Sequence, residues 1–361
     1  MRTSAQKPLQ SLYILNISIF YSRRSASRGK IPGICPKRGN RLPNEPDTPL
    51  THLSESSARR VVLLVPTCNP GPLWQVFLQA LKTQTLQPDR CIVIDSESTD
   101  GAPEAAQAAG HTVQRIARAD FNHGTTRQRA IDQFAADADL VVLLTQDAVL
   151  AEPTALQQLL AAFDDPTVAA AFGRQLPHAN ATHVAAHARL FNYPATSHTR
   201  CLGDAPAFGI KTCFLSNSFA AYRVSALREA GGFPTNVILG EDMHLAARLL
   251  KGGHTIAYQA LATVYHSHNY ALLAEFRRYF DTGVFHAQHH WLTQDFGGAG
   301  SEGIRFLRSE MAYLLKHAPW QLPEAVCRTA LKALGYRLGL AHAALPQRMV
   351  IGLSMHKGYW A

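Results

Sequence analysis

Val61-Val62-Leu63-Leu64-Val65-Pro66-Thr67-Cys68-Asn69-Pro70 joins a continuous apolar, β-branched run to a proline-rich turn. A run without polar alternation suits a strand buried on both faces, as in a parallel sheet. A helical pattern follows through Trp74, Phe77, Leu78 and Leu81, and then a second apolar run, Cys91-Ile92-Val93-Ile94, ends in Asp95. An alanine-rich helix, a strand over Thr112–Ile116, a helix over Thr125–Ala135 and a strand over Leu140–Leu144 continue the alternation. Strands alternating with helices predict βαβ units and an α/β fold with a mainly parallel central sheet flanked by helices.

Farther along, residues 173–211 are irregular and rich in His, Asn and Pro, and read as a surface segment at the site. Phe214–Tyr222 reads as a strand, Glu241–Leu250 as a short amphipathic helix stopped by Gly252-Gly253, and His254–His266 as a strand. From Tyr270 onward the pattern is helical, with a break at Phe296–Ser301. The chain therefore divides into a basic leader over 1–58 that reads as disordered, a catalytic domain over 59–269 and a C-terminal helical region over 270–361.

The formal charge of +9 is unevenly placed. Residues 1–60 hold 11 Lys/Arg and three Asp/Glu, whereas the remaining 301 residues are nearly balanced at 24 and 23. The basic character thus belongs to the leader and gives no reason to expect nucleic-acid binding by the folded body. Six cysteines at 35, 68, 91, 201, 213 and 327 form no CxxC pair, which argues against a disulfide framework and fits a reducing cytoplasm. No apolar run reaches the ~18–20 residues needed to span a bilayer. The expected location is cytoplasmic, with peripheral contact at the inner face of the plasma membrane left open.

Ligands of open α/β sheets bind beyond the carboxyl ends of strands. Asp95, in Ile94-Asp95-Ser96-Glu97-Ser98-Thr99-Asp100-Gly101, falls there, and so does Asp147, in Leu144-Thr145-Gln146-Asp147-Ala148. A carboxylate at Asp95 can accept from a base N–H or a ribose hydroxyl, and one at Asp147 suits Mg²⁺ or Mn²⁺ beside phosphate. Glu241-Asp242 opens a helix, where the dipole favours acids, and two adjacent acids on one helix need different roles. His266-Ser267-His268 puts two imidazoles on one face if the strand persists. His286, His289 and His290 read as a packing interface rather than a ligand set. The absence of GxGxxG after the first strand and of GxxxxGK[ST] removes the main support for nicotinamide and P-loop chemistry.

In order along the chain, these features resemble glycosyltransferase family 2, whose fold is GT-A. Val65–Pro70 is similar to the first-strand motif and Ile94–Gly101 to the D-x-x-S-T-D-G turn. Thr145-Gln146-Asp147 stands at the DxD motif with Thr145 replacing its first acid, and Gly231-Gly232-Phe233-Pro234 with Gly240-Glu241-Asp242 resembles the GGF…ED motif. Asp120–Arg127, Thr145–Ala148, His266–Tyr270 and the tail Leu353–Trp360 resemble bacterial rhamnosyltransferases of surface-polysaccharide (O-antigen-type) synthesis. The resemblance implies an inverting transfer of L-rhamnose from dTDP-rhamnose to a glycan or polyprenyl-diphosphate-linked glycan. It assigns Asp242 as base and Asp147 and His266 as metal ligands, with His268 in reserve. Pro66, Thr67, Asn69, Asp95, Arg127 and Gln146 contact the nucleotide sugar, and Glu241 and Asn217 lie on the acceptor side. Two alternatives stand beside it: a nucleotidyltransferase, which should carry a basic glycine-rich loop after the first strand, and a non-catalytic scaffold of the same fold in a membrane complex.

Overall fold

The run beginning at Val61 forms β1 (Val61–Thr67), and its alternate side chains enter different cores. Val62 and Leu64 join one hydrophobic cluster while Val61, Leu63 and Val65 join another, so the sheet is covered on both faces. The computed structural model describes residues 59–298 and 302–360. The expected leader over 1–58 lies outside these residues.

The strands after β1 are β2 (Arg90–Ser96), β3 (Thr112–Ile116), β4 (Leu140–Leu144), β5 (Val149–Leu150), β6 (Val168–Leu176), β7 (His198–Arg200), β8 (Phe219–Arg223) and β9 (Thr255–Tyr265). The main sheet order is β3-β2-β1-β4-β8-β6-β9-β5, with β7 paired to β9. From β3 to β4 every pairing is parallel, as the βαβ pattern predicts. Beyond β4 the sheet is mixed: β8 runs antiparallel to both β4 and β6, while β6 and β9 are parallel. Periodicity reports burial and not strand direction, which is why the sequence supports a parallel sheet only for the first half.

Helices α1 (Leu73–Lys82), α2 (Ala102–Ala108), α3 (His123–Phe134) and α4 (Ala155–Leu160) belong to the first half of the chain. Asn122 starts α3 by accepting from the Gly124 and Thr125 N–H groups. Helix α5 (His183–Asn192) occupies the segment that reads as irregular, because its histidines and small residues give little apolar periodicity. Then come α6 (Ala205–Phe208), α7 (Val224–Glu229) and α8 (Glu241–Lys251).

The C-terminal region comprises α9 (Leu272–Gln288), α10 (Trp291–Phe296), α11 (Glu302–His317), α12 (Leu322–Leu340) and α13 (Gln347–Leu353). Helices α9 and α12 touch backbone to backbone: a Cβ at Gly339 would lie 2.0 Å from the Phe280 carbonyl oxygen, and one at Gly283 2.2 Å from that of Tyr336. His286 donates or accepts at Tyr336 Oη, 3.0 Å away, across the same contact. Several basic residues of this region face inward. Arg328 and Lys332 lie 2.7 and 2.8 Å from the Glu275 carboxylate, and Arg278 is buried. Among the described residues no helix is long and apolar enough to cross a membrane.

Candidate active site

The β1–β2 register places Thr67 opposite Asp95 at the carboxyl ends of both strands. Thr67 Oγ1 donates to Asp95 Oδ1 (3.1 Å), and the Ser98 N–H donates to Asp95 Oδ2 (3.0 Å). Asn69 adopts φ 46°, the left-handed region that Asn tolerates, and from there its Oδ1 accepts from the Thr99 N–H at 2.8 Å. Gln146 makes a two-way amide pairing with the Cys68 backbone, accepting its N–H at 2.7 Å and donating to its carbonyl at 3.3 Å. These bonds fix the loops after β1, β2 and β4 against one another. Pro66, Thr67, Asn69, Asp95 and Gln146 therefore gather at one strand-end cluster, with Gln146 acting as a strut between loops.

Asp147 lies just past β4, and strand pairing brings the histidines to it. Val149 pairs with Tyr265 and Leu176 with Tyr265, so the end of β9 is held between β5 and β6. His266 Nε2 sits 3.4 Å from Asp147 Oδ1 and His268 Nε2 3.6 Å from Asp147 Oδ2. Ligand atoms of all three residues lie within 4.8 Å of one another. Thr145, at the place of the missing acid, donates its hydroxyl to Asp147 Oδ1 at 2.8 Å. Burial by itself would raise the Asp147 carboxyl, but the approach of His266, and after it of His268 and the Thr145 hydroxyl, outweighs burial and holds the carboxyl well below the usual range. Burial pushes both imidazoles down, so they are neutral near pH 7. One carboxylate and two neutral imidazoles make a metal donor set. His266 Nδ1 is 3.0 Å from Gln175 Oε1, an outer bond of the kind that fixes which ring nitrogen faces a metal.

A second centre forms where α8 begins. Gly240, at φ 78°, turns the chain so that Glu241 and Asp242 enter the helix buried. Glu241 Oε1 lies 3.0 Å from Arg127 Nη1 and accepts from Asn217 Nδ2 at 3.0 Å. Tyr222 Oη donates to Asn217 Oδ1 (2.6 Å), which fixes that amide. Arg127 thus stands with Glu241 and Asn217 rather than with the Asp95 cluster. Asp242 accepts from the Met243 N–H (2.8 Å) and from the Asn217 N–H (3.4 Å) and has no ion-pair partner of its own among the described residues. Burial and the adjacent Glu241 charge push its carboxyl up to about 8. The helix-start position cannot offset two acids desolvated together.

That value sets an expected pH response. A base must be ionised, so kcat/KM should rise about tenfold per pH unit below about 8 and level off above it. The limb belongs to the Glu241–Asp242 pair rather than to one residue. The sign for stability is opposite: a raised acid stabilises the native chain while protonated, and that contribution is lost as pH rises from the ordinary carboxylate range toward about 8. A pH–rate profile showing a limb below pH 6 would rule out this assignment.

Sequence reasoning gave no prominence to Gln175, Tyr222 or His178. Gln175 and Tyr222 lie inside strands without any motif, and only the β6–β9 and β4–β8 registers reveal their roles. His178 Nε2 lies 3.3 Å from the Asp147 carbonyl oxygen, and its only sequence signal was the His-rich segment. The tail motif also gains a place: the Met355 and His356 N–H groups donate to Asp281 Oδ2, and the His356 ring meets that of His123 edge-on at 5.3 Å.

Carboxylates at the ends of parallel strands, an Asp–His–His donor set and a buried pair of acids at a helix start define a GT-A glycosyltransferase. A model of the glycosyltransferase like family 2 matches residues 58–280, and the chain belongs to this family. It is 49% identical over 302 residues to the O-antigen chain rhamnosyltransferase RfbN of Salmonella typhimurium, a match covering 83% of this chain and 96% of that protein. It is 48% identical over 299 residues to the O-antigen chain rhamnosyltransferase WbaN of Salmonella anatum, covering 82% and 95%. Among solved structures, a mannosyltransferase of Pyrobaculum calidifontis in complex with GDP-Man and Mn²⁺ is 22% identical, covers 84% of this chain and 85% of that one, and gives a TM-score of 0.47. The chain is a glycosyltransferase, and its family sets the nucleotidyltransferase and scaffold alternatives aside.

Proposed function

We propose that the chain transfers L-rhamnose from dTDP-rhamnose, with inversion, to a glycan or polyprenyl-diphosphate-linked glycan during surface-polysaccharide synthesis. The observation that carries the chemistry is the separation of two carboxylate environments on one edge of the sheet. Asp147 is held ionised between two imidazoles, and Asp242 is held near its proton-accepting threshold without a cation of its own. The choice of sugar is supported by relatives that match nearly end to end.

Asp147, His266 and His268 would hold a divalent cation, and two imidazole donors favour Mn²⁺ over Mg²⁺. Such an ion would neutralise charge on the departing diphosphate. The chain's own residues divide the remaining work. Asp95 and Thr67 receive the nucleoside, and Asn69 and Gln146 hold the loops that shape its site. Asp242 takes the proton from the acceptor hydroxyl as that oxygen attacks the anomeric carbon, while Arg127 and Asn217 fix Glu241 beside it. Arg278 is buried, lines a cleft together with His268 and has no hydrogen-bond partner for Nη2 among the described residues, which supports a role for it in meeting the diphosphate. The test is a donor panel with Mn²⁺ or Mg²⁺ and a lipid-linked glycan: turnover of dTDP-rhamnose above other nucleotide sugars is expected, and preference for another sugar overturns the assignment.

A lipid-linked acceptor would be met at the cytoplasmic face of the membrane. The inward-facing Arg328 and Lys332 are unsuited to that contact, but Trp320 is 71% exposed and lies in sequence near the exposed Leu315, Lys316 and Val326. This mixture of apolar and basic side chains suits an interfacial surface. Trp320→Ser with Leu315→Ser should weaken co-sedimentation with anionic vesicles, and unchanged co-sedimentation would remove this surface from consideration.

A further inference from the structure

Asp281 is a fully buried carboxylate on α9 that the reaction described above does not use. Its Oδ2 accepts from the N–H groups of both Met355 (2.9 Å) and His356 (3.0 Å). A side chain that accepts two successive backbone N–H groups clasps the segment that carries them. Burial pushes its carboxyl up to about 7 against the pull of these bonds. Packing seats the same segment on both sides of His356. Val350 belongs to the core, Leu353, Tyr359 and Trp360 pack against it, and Tyr359 Oη donates to Gln288 Oε1 at 3.2 Å.

His356 carries this order to the acid pair. Its ring meets that of His123 edge-on with centroids 5.3 Å apart, and Phe121 closes a second side of His123 at 5.1 Å. His123, itself buried, holds Arg127 twice: its carbonyl accepts from Arg127 Nη1 at 2.9 Å, and its Nδ1 stands 3.5 Å from the same nitrogen. That nitrogen is also the one that lies 3.0 Å from Glu241. Burial pushes both imidazoles down to about 3, so neither brings a competing charge to Arg127. The start of α3 has no slack here, because a Cβ at Gly124 would lie 1.8 Å from the Pro234 carbonyl oxygen in the loop leading to α8. His356 also feels the charges of Glu241 and of Arg278, which lies one turn before Asp281 on α9. The clasped tail therefore adjoins both the acids and the cleft that Arg278 lines with His268.

We propose that His356 is a positioning residue: clasped by Asp281, its ring braces His123, which keeps Arg127 on Glu241 and so holds the Glu241–Asp242 pair in place for transfer. The proposal rests on the reading of that pair as the centre of the reaction. The test compares His356→Ala with His356→Phe in the full chain, with Mn²⁺ and whichever nucleotide sugar the donor panel selects. His356 is only partly buried, so both variants should fold. His356→Ala should lower kcat about ten- to hundredfold, the loss that a displacement of roughly 1 Å produces, while affinities for Mn²⁺ and for the nucleotide stay within about twofold. His356→Phe keeps an aromatic edge against His123 and should recover kcat to within about threefold of wild type. Asp281→Leu should free the tail, read as faster tryptic cleavage after the exposed Lys357, and lower kcat as His356→Ala does. If that buried substitution prevents folding, the two His356 variants decide alone. Unchanged kcat in His356→Ala, equal losses in the Ala and Phe variants, a parallel loss of Mn²⁺ or nucleotide affinity, or unchanged cleavage in folded Asp281→Leu overturns the proposal. A normally active Asp242→Asn beside an impaired His356→Ala refutes only the base. An inactive Asp242→Asn beside a fully active His356→Ala refutes only the brace.

Discussion

Asp242→Asn is expected to lower kcat by ~10²–10⁴-fold while leaving donor affinity within about twofold, the loss typical of removing a positioned general base. The substitution is nearly isosteric and keeps an oxygen that can accept from the Met243 N–H, so folding should survive. It removes only the capacity to take a proton. The neighbouring acid makes the control. By position alone, Glu241 reads as a support for the helix start, and its substitution as mild. The structure changes that expectation, because Glu241 is buried against Arg127 with side-chain exposures of 2% and 4%. Breaking a buried ion pair on one side leaves the other charge uncompensated, at a cost of about 3–5 kcal/mol. Glu241→Gln should therefore lower the melting temperature and reduce activity in proportion to folded protein, whereas Asp242→Asn should reduce turnover in protein that is fully folded. Thermal melts and single-turnover transfer assayed side by side separate the two. Full activity of folded Asp242→Asn would reassign the base, and if both variants transfer normally, the displacement mechanism proposed for these acids fails.

The second large effect is expected at Asp147. Asp147→Ala should abolish metal-dependent turnover and weaken Mn²⁺ binding by more than the roughly 10–100-fold that loss of an outer hydrogen-bond partner produces. The fold should hold, since the residue is partly exposed at a strand end. Gln175→Leu gives the graded comparison: it leaves all three ligands in place and removes the acceptor at His266 Nδ1 together with the bond to Ser216 Oγ, so Mn²⁺ affinity should fall within that 10–100-fold range. Electron paramagnetic resonance of free and bound Mn²⁺ reads both variants without an activity assay. Turnover that is undiminished in EDTA would discard the metal site.

Much of this arrangement could be read from the order of residues. The runs at Val61, Cys91 and Leu140 are apolar on both faces, and only a sheet covered on both sides buries them, so the parallel half of the fold was legible. Strand ends are legible from the same runs, which is why Asp95 and Asp147 stood out. The mixed half was not, because β8 is too short and too uniformly apolar for its pattern to reveal direction. Helix α5 was hidden for a related reason: residues such as His183, His187 and Asn192 carry no apolar period, and the helix is held by packing against α11.

Local sequence determined where chemistry-bearing side chains sit along the chain. It put Glu241 and Asp242 at a helix start and His266 and His268 at a strand end. Tertiary structure alone decided what each one faces. The pairing of β5 and β6 with β9 carried Asp147, Gln175 and His266 to one point from positions up to 119 residues apart. The approach of α3 to α8 gave Arg127 to Glu241 and left Asp242 without a cation, and that difference separates two adjacent acids into a structural support and a proposed base. The physical reason is that burial and charge proximity depend on distances in space, which strand register and helix packing set and which spacing along the chain does not record.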